Sequence, residues 1–88
     1  MSFGNNIEKY GFDKSTWPIV EVNDLPDGGQ EIYMGKSRRP NASTSDPVWL
    51  VRKITVRKRD SVTTILTEET SDWNNSWENH SQLIYQLI

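Results

Sequence analysis

Residues 47–68 contain the longest stretch of β-favouring sequence in this chain, and they constrain its fold more than any other segment. Val, Ile, Leu, Thr and Trp predominate over residues 47–58 and again over residues 62–68, and most of these residue types are enriched in strands. Arg59, Asp60 and Ser61 separate the two runs as a short polar turn. The pattern predicts one long antiparallel hairpin.

The alternation of apolar residues changes phase within the first of these two strands. Trp49 and Val51 share one parity, whereas Leu50, Ile54 and Val56 share the other. Two explanations fit: both faces of the strand are covered near Trp49, or a β-bulge near residues 52–53 shifts the alternation.

Shorter segments on either side complete the predicted sheet. Residues 17–22, 30–36 and 81–88 fit strands, and Gly28 and Gly29 are expected to supply positive φ angles in the turn over residues 23–29. Gly35 is a candidate bulge position. Thr70, Ser71 and Asp72 resemble a helix N-cap, followed by a helical turn that places Trp73 and Trp77 on one face. We therefore expect an all-β fold, a small partly open barrel or sandwich of about five antiparallel strands with one short helical turn.

The supply of core residues is small. Only 34% of the 88 residues are apolar, and the mean hydropathy is -0.72. A domain of this size buries about 60–65% of the surface of its unfolded chain. The absence of Cys excludes disulfides and thiolate-bound zinc, and no run of residues is apolar enough for a membrane span. Stabilising contacts from other chains are therefore expected.

Residues 1–16 are mostly polar and sustain no strand or helix period. Isolated apolar residues occur there at Phe3, Ile7, Tyr10 and Phe12. We interpret these residues as an N-terminal arm that packs on a partner, followed by a single β domain over residues 17–88. No secretory signal pattern is visible at the start of the chain, and Cys-free composition suits assembly in a reducing cytoplasm.

Charge is unevenly distributed although the net charge is only -2. Five Lys and Arg residues lie within residues 52–59, and residues 60–88 contain acidic residues but no Lys or Arg. The distribution fits a solvated hairpin with charged ends. It also fits a surface with one basic and one acidic side, which suits head-to-tail contact between copies. The acidic balance disfavours nucleic acid as the main partner.

No catalytic, cofactor-binding or metal-binding pattern is present. His80 is the single His and lies in a polar stretch, where a surface or capping role is expected, and Glu68 and Glu69 point to opposite faces of a strand. We therefore expect no enzyme, no cofactor and no small-molecule substrate.

Four Trp residues are an excess for a chain of this length. Trp49 and Trp77 are expected in the core, whereas Trp17 and Trp73 are candidates for a contact surface. An alternative function is a small β-barrel that binds single-stranded nucleic acid, by stacking bases on exposed rings beside the basic hairpin at Arg57, Lys58 and Arg59.

Three segments resemble small proteins encoded by tailed bacteriophages. Residues 44–54 (TSDPVWLVRKI) resemble their T-S-D-x-V-W-x-I-x-x-I stretch. The pattern Trp77-x-x-His80-x-x-Leu83-x-Tyr85, with an aromatic four residues earlier, resembles their W-x-x-R-x-x-L-x-Y ending. Residues 32–36 resemble their Y-x-G-x-A strand. The resemblance covers about 60% of the chain, with His80 in place of the usual Arg and Lys36-Ser37-Arg38-Arg39 in place of small residues.

The resemblance implies a structural or tail-associated protein of the virion, and no catalytic residue comes with it. We expect a capsid cement or decoration, neck or tail component, assembled in the bacterial host cytoplasm and located in the virion. Its partners would be copies of itself and other virion proteins, and not a membrane. The residues expected to contact partners are Phe3, Ile7, Tyr10, Phe12, Trp17, Trp73, Arg57, Lys58 and Arg59.

Overall fold

The computed structural model describes residues 17–88, which form one open antiparallel sheet. Its strands are β1 (Ile19–Asp24), β2 (Gln30–Ser37), β3 (Trp49–Arg59), β4 (Val62–Glu69) and β5 (Gln86–Leu87), and a 3-10 helix covers Trp77–Gln82. The strand order in the sheet is the order along the chain. The predicted all-β class, with five antiparallel strands and one short helical turn, is confirmed. The predicted N-terminal arm, with Phe3, Ile7, Tyr10 and Phe12, lies outside the described residues.

The change of phase in β3 reflects burial on both faces of the sheet and involves no bulge. The β2–β3 register runs without interruption from Ser37 opposite Trp49 to Gln30 opposite Val56, so the bulge proposed near residues 52–53 and at Gly35 is wrong. On one face, the aliphatic face, the buried residues are Trp17, Ile32, Met34, Ile54 and Val56. On the other, the aromatic face, they are Tyr33, Trp49, Val51 and Trp77.

The helical turn begins later than the sequence predicts. Thr70 still belongs to the sheet ladder, because its N–H donates to the Val51 carbonyl at 2.9 Å. Trp49 and Asn75 then form an isolated antiparallel bridge. These pairings hold the backbone extended, so the helix starts at Trp77 and Trp73 lies before it. The strand predicted over residues 81–88 is shortened to β5, because the 3-10 helix continues through Gln82 and occupies the first residues of that segment.

The turn between β3 and β4 is strained at both of its central residues. Asp60 and Ser61 have φ angles of 50° and 66°, the left-handed conformation that a two-residue type I′ hairpin requires. We expect the double substitution Asp60→Asn and Ser61→Gly to raise the free energy of unfolding by about 1 kcal/mol, because Asn-Gly adopts this turn at lower cost. Urea denaturation measures the change. The control introduces Asn and Gly in another loop, as Ser43→Asn and Ser45→Gly, and should give no such gain.

Candidate functional site

The outer side of β4 is largely left uncovered by the other described strands. β4 pairs with β3 from Val62 to Glu69, but β5 pairs with it only at Glu68 and Glu69. One further bond joins the two segments, from the Ile88 N–H to the Thr67 carbonyl at 3.3 Å. Within residues 17–88, the segment 62–66 therefore has a strand neighbour on one side alone. We call this segment the β4 edge.

The β4 edge exposes apolar side chains and carries no charge. Val62, Ile65 and Leu66 are 61%, 52% and 41% exposed, and no charged residue occurs in residues 62–67. Free strands are usually protected from pairing by Lys, Pro or a bulge. Apolar exposure continues near the C-terminus of the described residues at Ile84, Leu87 and Ile88. The β4 edge thus combines unpaired backbone groups with apolar side chains, as strand-addition sites do.

The basic hairpin tip lies far from the Trp residues. Arg57, Lys58 and Arg59 are all exposed, and the Arg57 guanidinium lies 4.0 Å from a carboxylate oxygen of Asp27. β3 has 11 residues, with Trp49 at its start and the tip at its end. A strand of that length spans about 35 Å. The sequence prediction of rings beside this basic tip is therefore not realised among the described residues.

Basic and aromatic side chains meet instead at the opposite end of the sheet. The Lys36 ammonium lies 4.7 Å from the centre of the Trp17 ring and 5.7 Å from that of Trp73. The Arg38 guanidinium lies 5.5 Å from the Trp73 ring, and that of Arg52 lies 4.9 Å from Trp17. Such distances are within the range of cation–π attraction. Trp17, expected at a contact surface, is only 5% exposed and belongs to the core, whereas Trp73 is half-buried.

A cleft of about 560 Å³ adjoins these residues. Its lining includes three basic side chains, Lys36, Arg38 and Arg39, and no carboxylate. Arg39 is bound by Asp46 at 2.6 Å from outside the lining, so Lys36 and Arg38 carry most of its free positive charge. We call this feature the basic cleft.

His80 joins the 3-10 helix to the sheet. Its Nδ1 lies 2.8 Å from the Trp77 carbonyl oxygen, and its Nε2 lies 2.9 Å from a carboxylate oxygen of Glu21. The imidazole stacks on the Trp77 ring at 4.5 Å and meets the Tyr33 ring edge-on at 4.6 Å. The Tyr85 hydroxyl donates to the His80 carbonyl. His80 therefore does more than the expected surface or capping role, because it links the 3-10 helix to Glu21 on β1. In the sequence, the spacing of three residues between Trp77 and His80 indicates that the two side chains can meet on one helical turn.

Both ring nitrogens of His80 face hydrogen-bond acceptors. A peptide carbonyl and an ionised carboxylate both accept hydrogen bonds, so a ring nitrogen that carries a hydrogen can donate to either of them. Hydrogen bonds from Asn23 and then from His80 hold the pKa of Glu21 below its ordinary value of 4.5, which favours the carboxylate that accepts these bonds.

The two phenols beside His80 are held neutral by their surroundings. Burial is the main cause that raises the pKa of Tyr33 to about 12, and burial also raises the pKa of Tyr85. The Lys53 ammonium lies 5.8 Å and 5.6 Å from the two rings, and it also lies 3.8 Å from Glu31. Near neutral pH this part of the aromatic face therefore contains neutral phenols that can donate hydrogen bonds.

The lowered pKa of Glu21 predicts a contribution to stability that is lost in acid. A depressed carboxyl pKa stabilises the fold above the ordinary value of 4.5, and the contribution disappears as the pH falls through the lowered pKa. We expect it to be no more than about 1 kcal/mol, because solvent screens a side chain that is 43% exposed. Urea denaturation between pH 6 and pH 3 measures the loss, which Glu21→Gln should reduce.

NMR titration of the Glu21 carboxyl tests the cause. Asn23→Ala and His80→Ala should each raise its pKa, because the Asn23 hydrogen bond is the largest single cause of the lowering and His80 contributes both a hydrogen bond and an electrostatic attraction. Asn74→Ala is the control. Asn74 is exposed and its N–H donates to Asp72 rather than to Glu21, so this variant should leave the Glu21 pKa unchanged. An unchanged pKa in both test variants would contradict this assignment.

Residues 17–88 contain no group of three or more His, Asp or Glu side chains that could hold a metal ion. In the same part of the chain, no helix is both long and apolar enough to cross a membrane. Comparison of the chain with known proteins finds no matching family model, no matching curated protein and no matching solved structure.

Proposed function

We propose that this chain is a structural protein of a tailed-bacteriophage virion, a capsid cement or decoration, neck or tail component. In this proposal it acts through protein–protein contacts in a symmetric assembly rather than through catalysis. The observation that carries the proposal is the β4 edge, where Val62, Ile65 and Leu66 are exposed on a segment that has one strand neighbour within residues 17–88. The resemblance over residues 32–85 supplies the viral context.

The physical argument is that the β4 edge gains stability from a partner. An added strand satisfies the outward N–H and C=O groups and removes apolar side chains from water at the same time. A virion presents many identical copies in fixed geometry, so one favourable contact is repeated throughout the particle. The basic hairpin tip, Arg57 to Arg59, is a second exposed surface that can meet an acidic neighbour.

Mass spectrometry of purified virions tests the proposal. We expect the chain in the particle, at a copy number that is a multiple of the symmetry of the ring or lattice to which it belongs. Particles purified from a mutant that lacks the chain are the control for background. Absence of the chain from intact virions would overturn the proposal.

A second candidate function is the binding of single-stranded nucleic acid at the basic cleft. The observation in its favour is that Lys36 and Arg38 lie beside Trp73, a ring that is half-buried and still partly accessible. Basic groups that follow a phosphate backbone beside an aromatic ring are typical of such sites.

Fluorescence anisotropy with labelled oligothymidine at two salt concentrations tests this candidate. Binding should weaken at least about tenfold between low and physiological salt, since phosphate contacts release counterions. Arg38→Glu should abolish binding, whereas Lys58→Glu, at the distant hairpin tip, should not. The opposite result would move the site to the tip, and no binding at low salt would remove the candidate.

A further inference from the structure

We propose that two copies of this chain pair through their β4 edges, antiparallel and related by a twofold axis at Thr64. The inference rests on the proposed function, namely that the chain assembles with copies of itself, and it specifies the contact. The free length of β4 limits the pairing to residues 62–66. On one side the Asp60-Ser61 turn ends the strand, and on the other side Ile88 already occupies the carbonyl of Thr67.

The hydrogen bonds of the sheet show which backbone groups of the β4 edge point outward. The Thr67 carbonyl accepts from Ile88 on the outer side, whereas Thr70 donates inward to Val51 on β3. In an antiparallel ladder the N–H and C=O of one residue point to the same side, and the side alternates along the strand. Because the β3–β4 register is unbroken from Val62 to Glu69, Thr63 and Ile65 point outward, and Thr64 points toward β3.

One register satisfies all of these outward groups. When Thr64 lies opposite Thr64 of the second copy, Thr63 lies opposite Ile65 in both directions. The two pairs then exchange four backbone hydrogen bonds, so no outward group of residues 63 and 65 remains unpaired. A shift that centres the axis on Ile65 would place Thr63 opposite Thr67, whose carbonyl is taken. A shift that centres it on Thr63 would place Ile65 opposite the turn residue Ser61.

The same register also pairs the exposed apolar side chains. Val62 lies opposite Leu66 of the second copy, and Leu66 lies opposite its Val62, on either side of the Thr64 pair. On the other face Ile65 lies opposite Thr63. Val62, Ile65 and Leu66, which are 61%, 52% and 41% exposed in the single chain, therefore all gain a neighbour. Cross-strand pairs of this kind are the unit of sheet stabilisation.

Charge favours a second copy as the occupant. A twofold axis brings identical side chains close together, so a charged residue in this segment would repel its counterpart. Residues 62–67 contain none, although charge is the usual protection of a free strand. The five basic residues of segment 52–59 lie on β3, outside the paired strands.

Single-cysteine crosslinking tests the pairing, and the Cys-free chain makes each introduced thiol unique. Opposite residues in a non-hydrogen-bonded pair have Cα atoms about 4.5 Å apart, which suits a disulfide. Thr64→Cys should therefore form covalent dimers under mild oxidation. In Thr63→Cys and Ile65→Cys the two cysteines are diagonal neighbours, with backbones about 7–8 Å apart, and should crosslink at least about tenfold more slowly. Non-reducing electrophoresis measures the rates.

A second variant shows that the crosslink needs the edge. Thr63→Pro in the Thr64→Cys background removes an outward N–H, a position where a strand tolerates Pro, and should reduce the rate to that of Thr63→Cys. Ile65→Lys in the same background introduces a charge near its twofold counterpart and should do the same, with near-ultraviolet circular dichroism as the check on folding.

The outcomes separate the contact from the function. Fastest crosslinking by Thr63→Cys or Ile65→Cys would overturn the Thr64 register, and equally slow crosslinking by all three variants would overturn pairing through β4. Presence of the chain in purified virions together with either result would leave the proposed function standing without this contact. Rapid Thr64→Cys crosslinking in a chain that virions lack would support the contact and contradict the viral role.

Discussion

Replacing Trp77 by alanine is expected to lower the free energy of unfolding by about 3–5 kcal/mol. Trp77 is 8% exposed and lies against the aromatic face of the sheet, with the Trp49 ring 6.4 Å away. It approaches β2 so closely that a Cβ at Gly35 would lie 2.7 Å from its ring. Alanine cannot fill this space, and His80 loses the ring on which it stacks. Urea denaturation followed by far-ultraviolet circular dichroism measures the loss.

Trp73 provides the matched control for this prediction. It lies four residues earlier and is half-buried, and Lys36 and Arg38 lie within cation–π distance of its ring. Trp73→Ala should therefore cost about 1 kcal/mol. Equal losses at the two positions would contradict the placement of Trp77 in the core.

Replacing Gly29 by alanine is expected to cost about 3 kcal/mol or more, the upper range for inserting a group into packed structure. A Cβ at Gly29 would lie 1.9 Å from the carbonyl oxygen of Val56, which belongs to the backbone and cannot move aside. The N–H of Gly29 also donates to the Asp27 carboxylate at 2.8 Å, and that bond is the main cause that lowers the pKa of Asp27. Thermal unfolding of the variant measures the effect.

Gly28 is the control for this prediction, and the two glycines differ in backbone conformation. Positive φ was expected at both glycines of this turn, but among the described glycines it occurs at Gly28 alone, with a φ of 85°. Space is open around Gly28, so Gly28→Ala should cost only the backbone strain, about 1–2 kcal/mol. A larger loss at Gly28 than at Gly29 would show that conformation, and not the approach of Val56, dominates the turn.

The strands of the central hairpin could be predicted because their local signals and their tertiary environment agree. β3 and β4 combine β-favouring residues with a short polar turn, and the structure keeps the predicted boundaries within one or two residues. The C-terminal region could not be predicted in the same way. Thr70 to Asp72 carries a genuine helix-start signal, but the pairing of Trp49 with Asn75 is a contact across 26 residues that local sequence does not reveal.

The β4 edge could not be predicted, because Val62, Ile65 and Leu66 fit an ordinary paired strand in the local pattern and are not among the residues expected to contact partners. In the observed register Glu68 lies opposite Leu87 and Glu69 lies opposite Gln86, so a longer strand over residues 81–88 would run alongside residues 67–74 and not alongside residues 62–66. The 3-10 helix uses Trp77–Gln82 to bring His80 to Glu21, and β5 is left with two residues. The exposure of Val62, Ile65 and Leu66 therefore depends on the register between β4 and β5, which local sequence does not reveal.

The agreement between strand order and chain order has a consequence for how the domain folds. Each strand pairs only with the strands that directly precede or follow it along the chain, and the β1–β2 and β3–β4 hairpins close short loops at little cost in chain entropy. Sheets built from such local pairings fold faster than sheets in which distant strands must meet. The long-range contacts of Glu21 with His80 and of Trp49 with Asn75 can form after the hairpins are in place. Newly made chains would then expose unpaired strands only briefly.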